Sequence, residues 1–257
     1  MQENAEFRLR QALGPEYGSI PVQMLAETDS TNLRLKEWAR VGRVFPPYLL
    51  TADSQTAGRG RLGRSFVSPP GTGLYMSLLA APPAGTDAGN VTILAAVAVC
   101  RAIEELTDLR PKIKWVNDLF VAGGKVCGIL AEGVEQGVII GIGVNLLPPP
   151  GGFPPEAGVA GALNRAVDQA ALAGRIARHL LSGLENIGDP AILAAYRARM
   201  PLIGQRVEFL QNGQTKNALV TGVGDDGGLM ILGETGPAVL RCGEVTLGSE
   251  AAAHLFR

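Results

Sequence analysis

The sequence predicts an α+β protein, in which strands and helices alternate as far as residue 200 and a small β domain follows. Three observations carry this expectation. Apolar residues recur at helical spacing, as at Leu172, Ile176, Leu180 and Leu184. Between such segments lie short apolar, often β-branched runs bounded by glycine and proline. Beyond Pro201 only short β runs occur, separated by turn sequences such as Asn212-Gly213, Asp225-Asp226-Gly227-Gly228 and Gly236-Pro237.

Taken in order, Asp29 or Ser30 is placed to cap a helix that runs through Leu33, Leu35 and Trp38 and stops at Gly42. Residues 48–52 and 74–80 read as strands, with a glycine-arginine loop between them, and 81–89, rich in Pro, Ala and Gly, as a loop. Residues 91–106 are apolar nearly all round at first, which predicts a buried helix. Residues 112–116 and 126–131 are expected to form two strands joined by a turn at Ala122-Gly123-Gly124. The β-branched run 138–144 continues the sheet, and 147–161, full of Pro and Gly, reads as a mobile surface loop. A helix follows over 172–184, and Asp189-Pro190 supplies the N-cap and first position of another that ends near Met200. The runs at Val207 and Phe209, 218–220, 229–232, 239–240 and 245–247 predict a small barrel. A boundary near Pro201 therefore divides the chain into domains 1–200 and 201–257.

Composition narrows the function classes. A chain of 257 residues can bury a sizeable core. Its formal charge of −1 gives no general attraction for nucleic acid or acidic membranes, so any hold on phosphate must be local. Cys100, Cys127 and Cys242 are far apart and form no CxxC pair, which argues against a disulfide framework and a thiolate zinc site. The first ten residues are charged, and the longest apolar run, 91–100, is too short to cross a bilayer. A cytoplasmic protein with no membrane partner is expected. His179 and His254 lack neighbours at ligand spacing and no GxSxG is present, so both histidines read as structural.

The chemistry-bearing segments need weighing one by one. Gly58-Arg59-Gly60-Arg61-Leu62-Gly63 fits GxGxxG, but Pro69-Pro70 follows, so it cannot open the helix that a dinucleotide fingerprint requires. What it offers is Arg59, Arg61 and Arg64 on a glycine-rich backbone. Guanidinium forks grip phosphate oxygens in pairs, and the glycines let the main chain approach an anion. Alone, such a loop is more often a solvated surface segment. Lys125 follows two glycines at a hairpin, where exposure is the default; Asn117 and Asp118 fit strand-end turn residues; Ser30 and Thr31 fit a helix cap; Trp115 fits the core.

Their order is more specific than any one of them. Ser30-Thr31-Asn32 is followed by the stretch from Gln55 to Arg64, by Lys114-Trp115-Val116-Asn117-Asp118, by the stretch from Gly124 to Leu130, and by Gly141-Ile142-Gly143-Val144-Asn145. In this order the motifs resemble those of the biotin protein ligases, and the likeness extends over nearly the whole chain. The resemblance implies a class II synthetase-like fold, a mixed β-sheet flanked by helices with a C-terminal SH3-like barrel. It implies an enzyme that uses ATP and Mg²⁺ to convert biotin into biotinyl-5′-AMP with release of pyrophosphate. The biotinyl group then passes to a lysine of a biotin carboxyl carrier domain. Some members carry an N-terminal winged helix-turn-helix; the stretch before Ser30 is short for one, so a ligase that binds no DNA is expected.

Carried over residue by residue, the resemblance assigns Ser30, Thr31, Asn32, Gln55, Gly58, Arg59, Gly60, Lys125, Gly128, Ile129 and Gly143 to biotin. It assigns Arg61, Arg64, Phe66, Trp115, Asn117, Asp118, Lys125 and Asn145 to ATP. Lys125, Arg59, Arg61 and Asp118 become the catalytic set, with Asp118 also a magnesium ligand. Two positions depart from the pattern: Val116 stands where many members have proline, and Phe66 where some have tryptophan. A lipoate-type ligase is the nearest alternative; it would need a longer apolar tunnel, whereas Ser30, Thr31 and Gln55 suit a ureido ring. A nucleic-acid-binding protein is the other, although residues 201–257 hold few basic residues. Monomer and homodimer both stay open.

Overall fold

The computed structural model describes residues 2–211, 214–241, 243–247 and 255–256; the Asn212-Gly213 turn, Cys242 and His254 lie outside them. The chain opens with helix α1 (Gln2–Leu13), strand β1 (Val22–Thr28), helix α2 (Thr31–Arg40), β2 (Tyr48–Gln55) and β3 (Gly73–Ala80). Helix α3 (Ala88–Leu106) precedes β4 (Lys112–Lys114), β5 (Asp118–Val121), β6 (Gly124–Val134) and β7 (Gly137–Asn145). Helices α4 (Gln169–Glu185) and α5 (Pro190–Ala198) lead into β8 (Arg206–Gln211), β9 (Gln214–Val223), β10 (Leu229–Gly233), β11 (Gly236–Leu240) and β12 (Val245–Thr246).

The first seven strands form one sheet in the order β1-β2-β3-β7-β6-β5-β4. Only β1 and β2 run parallel, so the sheet is mixed. Helix α2 packs on one face against β2, β3, β6 and β7, while α3 and α4 cover the other. All eight residues of β3 are buried, as expected for a central strand covered on both faces. The last five strands form an antiparallel sheet in the order β11-β10-β9-β8-β12. Its inward side chains Val207, Phe209, Val220, Leu229 and Ile231 share one apolar cluster with α3, β6 and β7. The hydrophobic interior is thus continuous from one sheet to the other.

Helices α3, α4 and α5 start where side chains satisfy their free amides. Asp87 accepts from Gly89 N, Asp168 from Ala170 N and Ala171 N, and Asp189 from Ala191 N. Helix α2 differs. Ser30 occupies its N-cap position but makes no side-chain cap bond, so the expected capping by that hydroxyl is corrected. Asp29 Oδ1 instead accepts from Ser30 N at 2.7 Å, and Gln55 Oε1, from β2, accepts from Thr31 N at 2.9 Å. A side chain from the neighbouring strand therefore does part of the capping and leaves the Ser30 hydroxyl uncommitted.

The stretch expected as two strands contains three. The first ends at Lys114, Trp115 to Asn117 form a turn with a cis peptide between Trp115 and Val116, and β5 begins at Asp118. Trp115 turns inward, 3% exposed, and donates from Nε1 to Gly227 O at 3.0 Å. Two further elements, α1 and β1, had no counterpart in the sequence pattern. The glycine-arginine loop opens no helix beyond a 3-10 turn at Arg61–Gly63, in which Leu62 has φ 56°. It is closed on itself by Gly60 N to Arg64 O at 2.7 Å and Phe66 N to Gly58 O at 2.9 Å.

Candidate active site

A cavity of about 780 Å³ opens on the α2 face of the large sheet. Its floor follows from register. Asp118 on β5 pairs with Gly128 on β6, Gly128 with Gly143 on β7, and Gly143 with Tyr75 on β3. Directly opposed residues share a face, so two glycines lie side by side between a carboxylate and an aromatic ring. The Phe66 ring fills the space above them; a Cβ at position 143 would fall 2.5 Å from it. Phe66 also meets Tyr75 edge-on at 6.4 Å between centroids. Expected beside the nucleotide, Phe66 thus packs over the two glycines assigned to biotin.

One end of the cavity is neutral and tightly bonded. Thr31 donates from N and Oγ1 to Gln55 Oε1, at 2.9 and 3.2 Å. Gln55 Nε2 donates to Ser68 Oγ, which donates to Phe66 O, both at 2.9 Å. Ser77, fully buried on β3, has its hydroxyl oxygen 2.7 Å from Thr31 Oγ1 and 2.6 Å from Asn32 Oδ1. Asn32 Nδ2 donates to Leu130 O and Glu132 Oε2. Room for the Asn32 amide exists because position 141 is glycine: a Cβ there would lie 2.1 Å from Asn32 Oδ1.

The other end is charged. Lys125 Nζ lies 2.8 Å from Asp118 Oδ1, yet that oxygen, shielded from water, makes no hydrogen bond of good geometry. Arg61 donates to Asn117 Oδ1 at 2.9 Å and to Gly243 O at 3.3 Å. Arg64 grips Glu244 with both terminal nitrogens, Lys114 Nζ lies 3.7 Å from the same carboxylate, and Arg59 lies 3.5 Å from Glu132. Burial alone would push the Glu244 carboxyl up, but the Arg64 hydrogen bonds and the Lys114, Arg64 and Lys125 charges outweigh it and hold it below its ordinary range.

Of the residues assigned from sequence, all but Gly58 and Asn145 line this cavity. Gly58 sits behind it, where a Cβ would strike Phe66 O at 2.3 Å. Asn145 is turned away and ties down the 147–161 segment, donating from Nδ2 to Gly161 O at 3.0 Å. Lys125 is fixed by the same segment, through Lys125 N to Val159 O and Gly161 N to Lys125 O, both at 2.8 Å. Lining residues not anticipated include Pro154, Glu156 and Val159 of that loop and Glu244, Leu247 and Phe256 of the C-terminus. Nor were Ser77 and Glu132 anticipated. Lys114 opens the KWVND segment, which was the one local signal for it. His179 lies away from the cavity, bonded to Glu105 within an Arg175, Arg178 cluster.

The model of the biotin/lipoate A/B protein ligase family matches residues 24–145, which contain every residue assigned from sequence. The biotin--[acetyl-CoA-carboxylase] ligase of Paracoccus denitrificans is 33% identical over 88% of this chain and 100% of its own length. The chain belongs to the biotin protein ligase family. The bifunctional ligase/repressor BirA of Bacillus subtilis is 44% identical over 114 residues, 42% of this chain; that match spans only 35% of BirA's length. Among solved structures, the biotin protein ligase from Aquifex aeolicus in complex with biotin and ATP superposes with a TM-score of 0.72. It is 29% identical, and the match covers 88% of this chain and 97% of that one. The ligase therefore shares its mixed sheet, flanking helices and second antiparallel sheet with that neighbour. Among the described residues, no helix is long and apolar enough to cross a membrane, and no group of three or more His, Cys, Asp or Glu residues could hold a metal ion.

Proposed function

We propose that the protein activates biotin with ATP as biotinyl-5′-AMP, releasing pyrophosphate, and then passes the biotinyl group to a lysine of a biotin carboxyl carrier domain. The observation that carries this reading is the union, in one cavity of about 780 Å³, of a fixed neutral polar end and a cationic end. That size suits a small acid and a nucleotide held together. The Aquifex aeolicus relative, in complex with biotin and ATP, supports the choice of ligands. Residues 1–200 then form the catalytic domain, and 201–257 a C-terminal domain whose turn at Gly243 and Glu244 steadies the arginine loop.

In this reading Ser30, Thr31 and Gln55 receive the ureido ring. The biotin carboxylate attacks the α-phosphorus, a bond forms between its oxygen and phosphorus, and pyrophosphate leaves. Two anions must approach, so Lys125 trades Asp118 for them, Arg59 and Arg64 exchange their ion pairs for phosphate oxygens, and Arg61 exchanges its hydrogen bond to Asn117. Closure of the glycine-arginine loop keeps water from the mixed anhydride. In the second step the carrier amine attacks the carbonyl carbon, the bond to AMP breaks, and Asp118 orients the amine or takes its proton.

The donor set fits Mg²⁺ in the mode where one carboxylate and the substrate phosphates share the ion, since the buried Asp118 Oδ1 faces the Lys125 ammonium at 2.8 Å and would be freed for a cation when Lys125 turns to the phosphates. Asp118 would hold it; the bound ion supplies charge neutralisation on the triphosphate.

The test is pyrophosphate release from ATP with biotin, with lipoate and with neither. Biotin-dependent release, followed by label on a carboxyl carrier domain, is the expected result. Release only with lipoate would move the chain to the other branch of the matched family. No release with either would remove the proposed chemistry. Proteolytic nicking within 57–66 and 147–161 is expected to fall when biotin and ATP are added together.

A further inference from the structure

The neutral end of the cavity contains a proton-counting problem with one consequence for what it binds. Asn32 Nδ2 faces two acceptors, Leu130 O at 3.2 Å and Glu132 Oε2 at 3.0 Å. Its amide orientation is therefore fixed, and Oδ1 must point the other way, at Ser77 Oγ 2.6 Å off. Gln55 is fixed in the same manner, because its Oε1 accepts the backbone N–H of Thr31. Ser77 owns one proton and has two oxygen neighbours, Asn32 Oδ1 and Thr31 Oγ1. A carbonyl oxygen cannot donate, so the Ser77 proton goes to Asn32. Ser77 Oγ has donor geometry toward both oxygens, but with its one proton committed to the carbonyl the 2.7 Å contact with Thr31 is satisfied only by the Thr31 proton. The other acceptor within reach of the Thr31 hydroxyl is Gln55 Oε1, at 3.2 Å. Under either arrangement the Thr31 proton is spent inside the protein.

We propose that Ser77 and Asn32 are positioning residues that turn the Thr31 hydroxyl into an acceptor-only group, so that this subsite selects a ligand N–H and rejects an oxygen in its place. Thr31 lines the cavity and is 4% exposed, and Ser77 and Asn32 are 0% and 3% exposed. Water therefore cannot replace the Ser77 partner behind Thr31, and a ligand oxygen set against Thr31 Oγ1 would stay unpaired. Position 141 guards the arrangement, since any side chain there would dislodge Asn32 Oδ1. The Ser30 hydroxyl, which caps nothing, keeps its proton and can still give one to a ligand carbonyl. A matched pair results, with Ser30 free to donate and Thr31 able only to accept. This inference rests on the proposed binding of a ureido ring at Ser30, Thr31 and Gln55.

The experiment compares biotin with a cyclic carbamate analogue, in which one ring N–H is replaced by oxygen, as substrates for pyrophosphate release. Wild-type enzyme is expected to favour biotin by at least about a hundredfold in kcat/KM, mainly through KM, since a site built for an N–H leaves a buried acceptor unpaired with the analogue. Ser77→Ala leaves Thr31 only the longer contact to Gln55, which its own amide already uses, so the preference should narrow by about tenfold. Ser77→Cys fills the site with a slightly larger side chain that is a weaker donor and acceptor and should fall between; it also serves if the alanine variant does not fold. A wild-type enzyme that accepts both compounds equally would overturn the proposal. So would a Ser77 variant that raises KM for both compounds equally and leaves the ratio unchanged. If wild-type enzyme releases pyrophosphate with neither compound, the reading of the site as a biotin site has failed, separately from this one.

Discussion

The two ends of the cavity hold their functional groups in opposite ways. At the neutral end, Thr31, Asn32 and Ser77 are almost wholly buried, and each is pinned by at least two polar partners. At the charged end, the side chains of Arg59 and Arg64 are 42% and 64% exposed and rest on Glu132 and Glu244. A neutral ring offers only short-range, directed hydrogen bonds, and these discriminate well only where water is absent and the partners are already aimed. Phosphates act through space, so cations can wait on solvent-screened pairs worth little and be transferred when the ligand arrives. One cavity therefore combines a preformed half with an exchangeable half.

Lys125→Ala should separate them most sharply. Loss of one aimed cation from the reacting centre is expected to slow adenylate formation on the order of 10²–10³-fold. Biotin binding, measured by calorimetry without ATP, should change only a few-fold, because the neutral end is untouched. Equal losses in binding and rate would mean that the two ends act as one. Gly141→Ala attacks the other half. The added Cβ would lie 2.1 Å from Asn32 Oδ1, so Asn32 must leave Ser77 and Glu132. Overpacking of this kind costs about 1–3 kcal/mol, read as a lower Tm. Biotin KM is expected to rise about tenfold, as one buried hydrogen-bonded contact is lost. An unchanged KM would show that the inner chain does not govern the ring site.

The same division explains how much was legible in the sequence. The charged end is written in short local motifs, and all of Arg59, Arg61, Arg64, Asn117, Asp118 and Lys125 line the cavity. The neutral end depends on partners that only the sheet brings together. Ser77 reaches Thr31 and Asn32 across 46 and 45 positions of chain, and Asn32 reaches Glu132 across 100. A lone serine in the apolar run of β3 gives no sign of such a role. Glu244 meets Arg64 across 180 positions, with no local pattern to announce it. Missed elements have similar causes. Among the described side chains of helix α1 only Leu9 and Leu13 are fully buried, so its apolar stripe is thin, and β1 is an edge strand that stays largely half-exposed, without clean alternation. Strand β5 is four residues long and was absorbed into the expected turn region. Core helices α3 and α4, whose apolar spacing is strong, end within one residue of the expected positions but begin three residues earlier, at Ala88 and Gln169.

The smallest expected effects concern the pair between Arg64 and Glu244, which tests how loosely the charged end is held. Glu244→Gln removes the charge that Arg64 and Lys114 share. With Arg64 64% exposed, global stability should fall by less than about 1 kcal/mol. Amide exchange within 57–66, corrected for its intrinsic rate, should still quicken a few-fold, because loop opening needs only local release. The pH dependence has a defined sign. The Glu244 carboxyl is held below its usual value in the folded protein, so its contribution is present above the unfolded value and is lost as pH falls through the lowered one. Wild-type loop exchange should stay level from about pH 8 to about pH 5. Below the ordinary carboxyl value of 4.5 it should rise to meet that of the Gln variant, whose own profile stays flat. Convergence of the two profiles at neutral pH instead would mean that the loop is held by its internal bonds and by Arg61, and that Glu244 merely accompanies it.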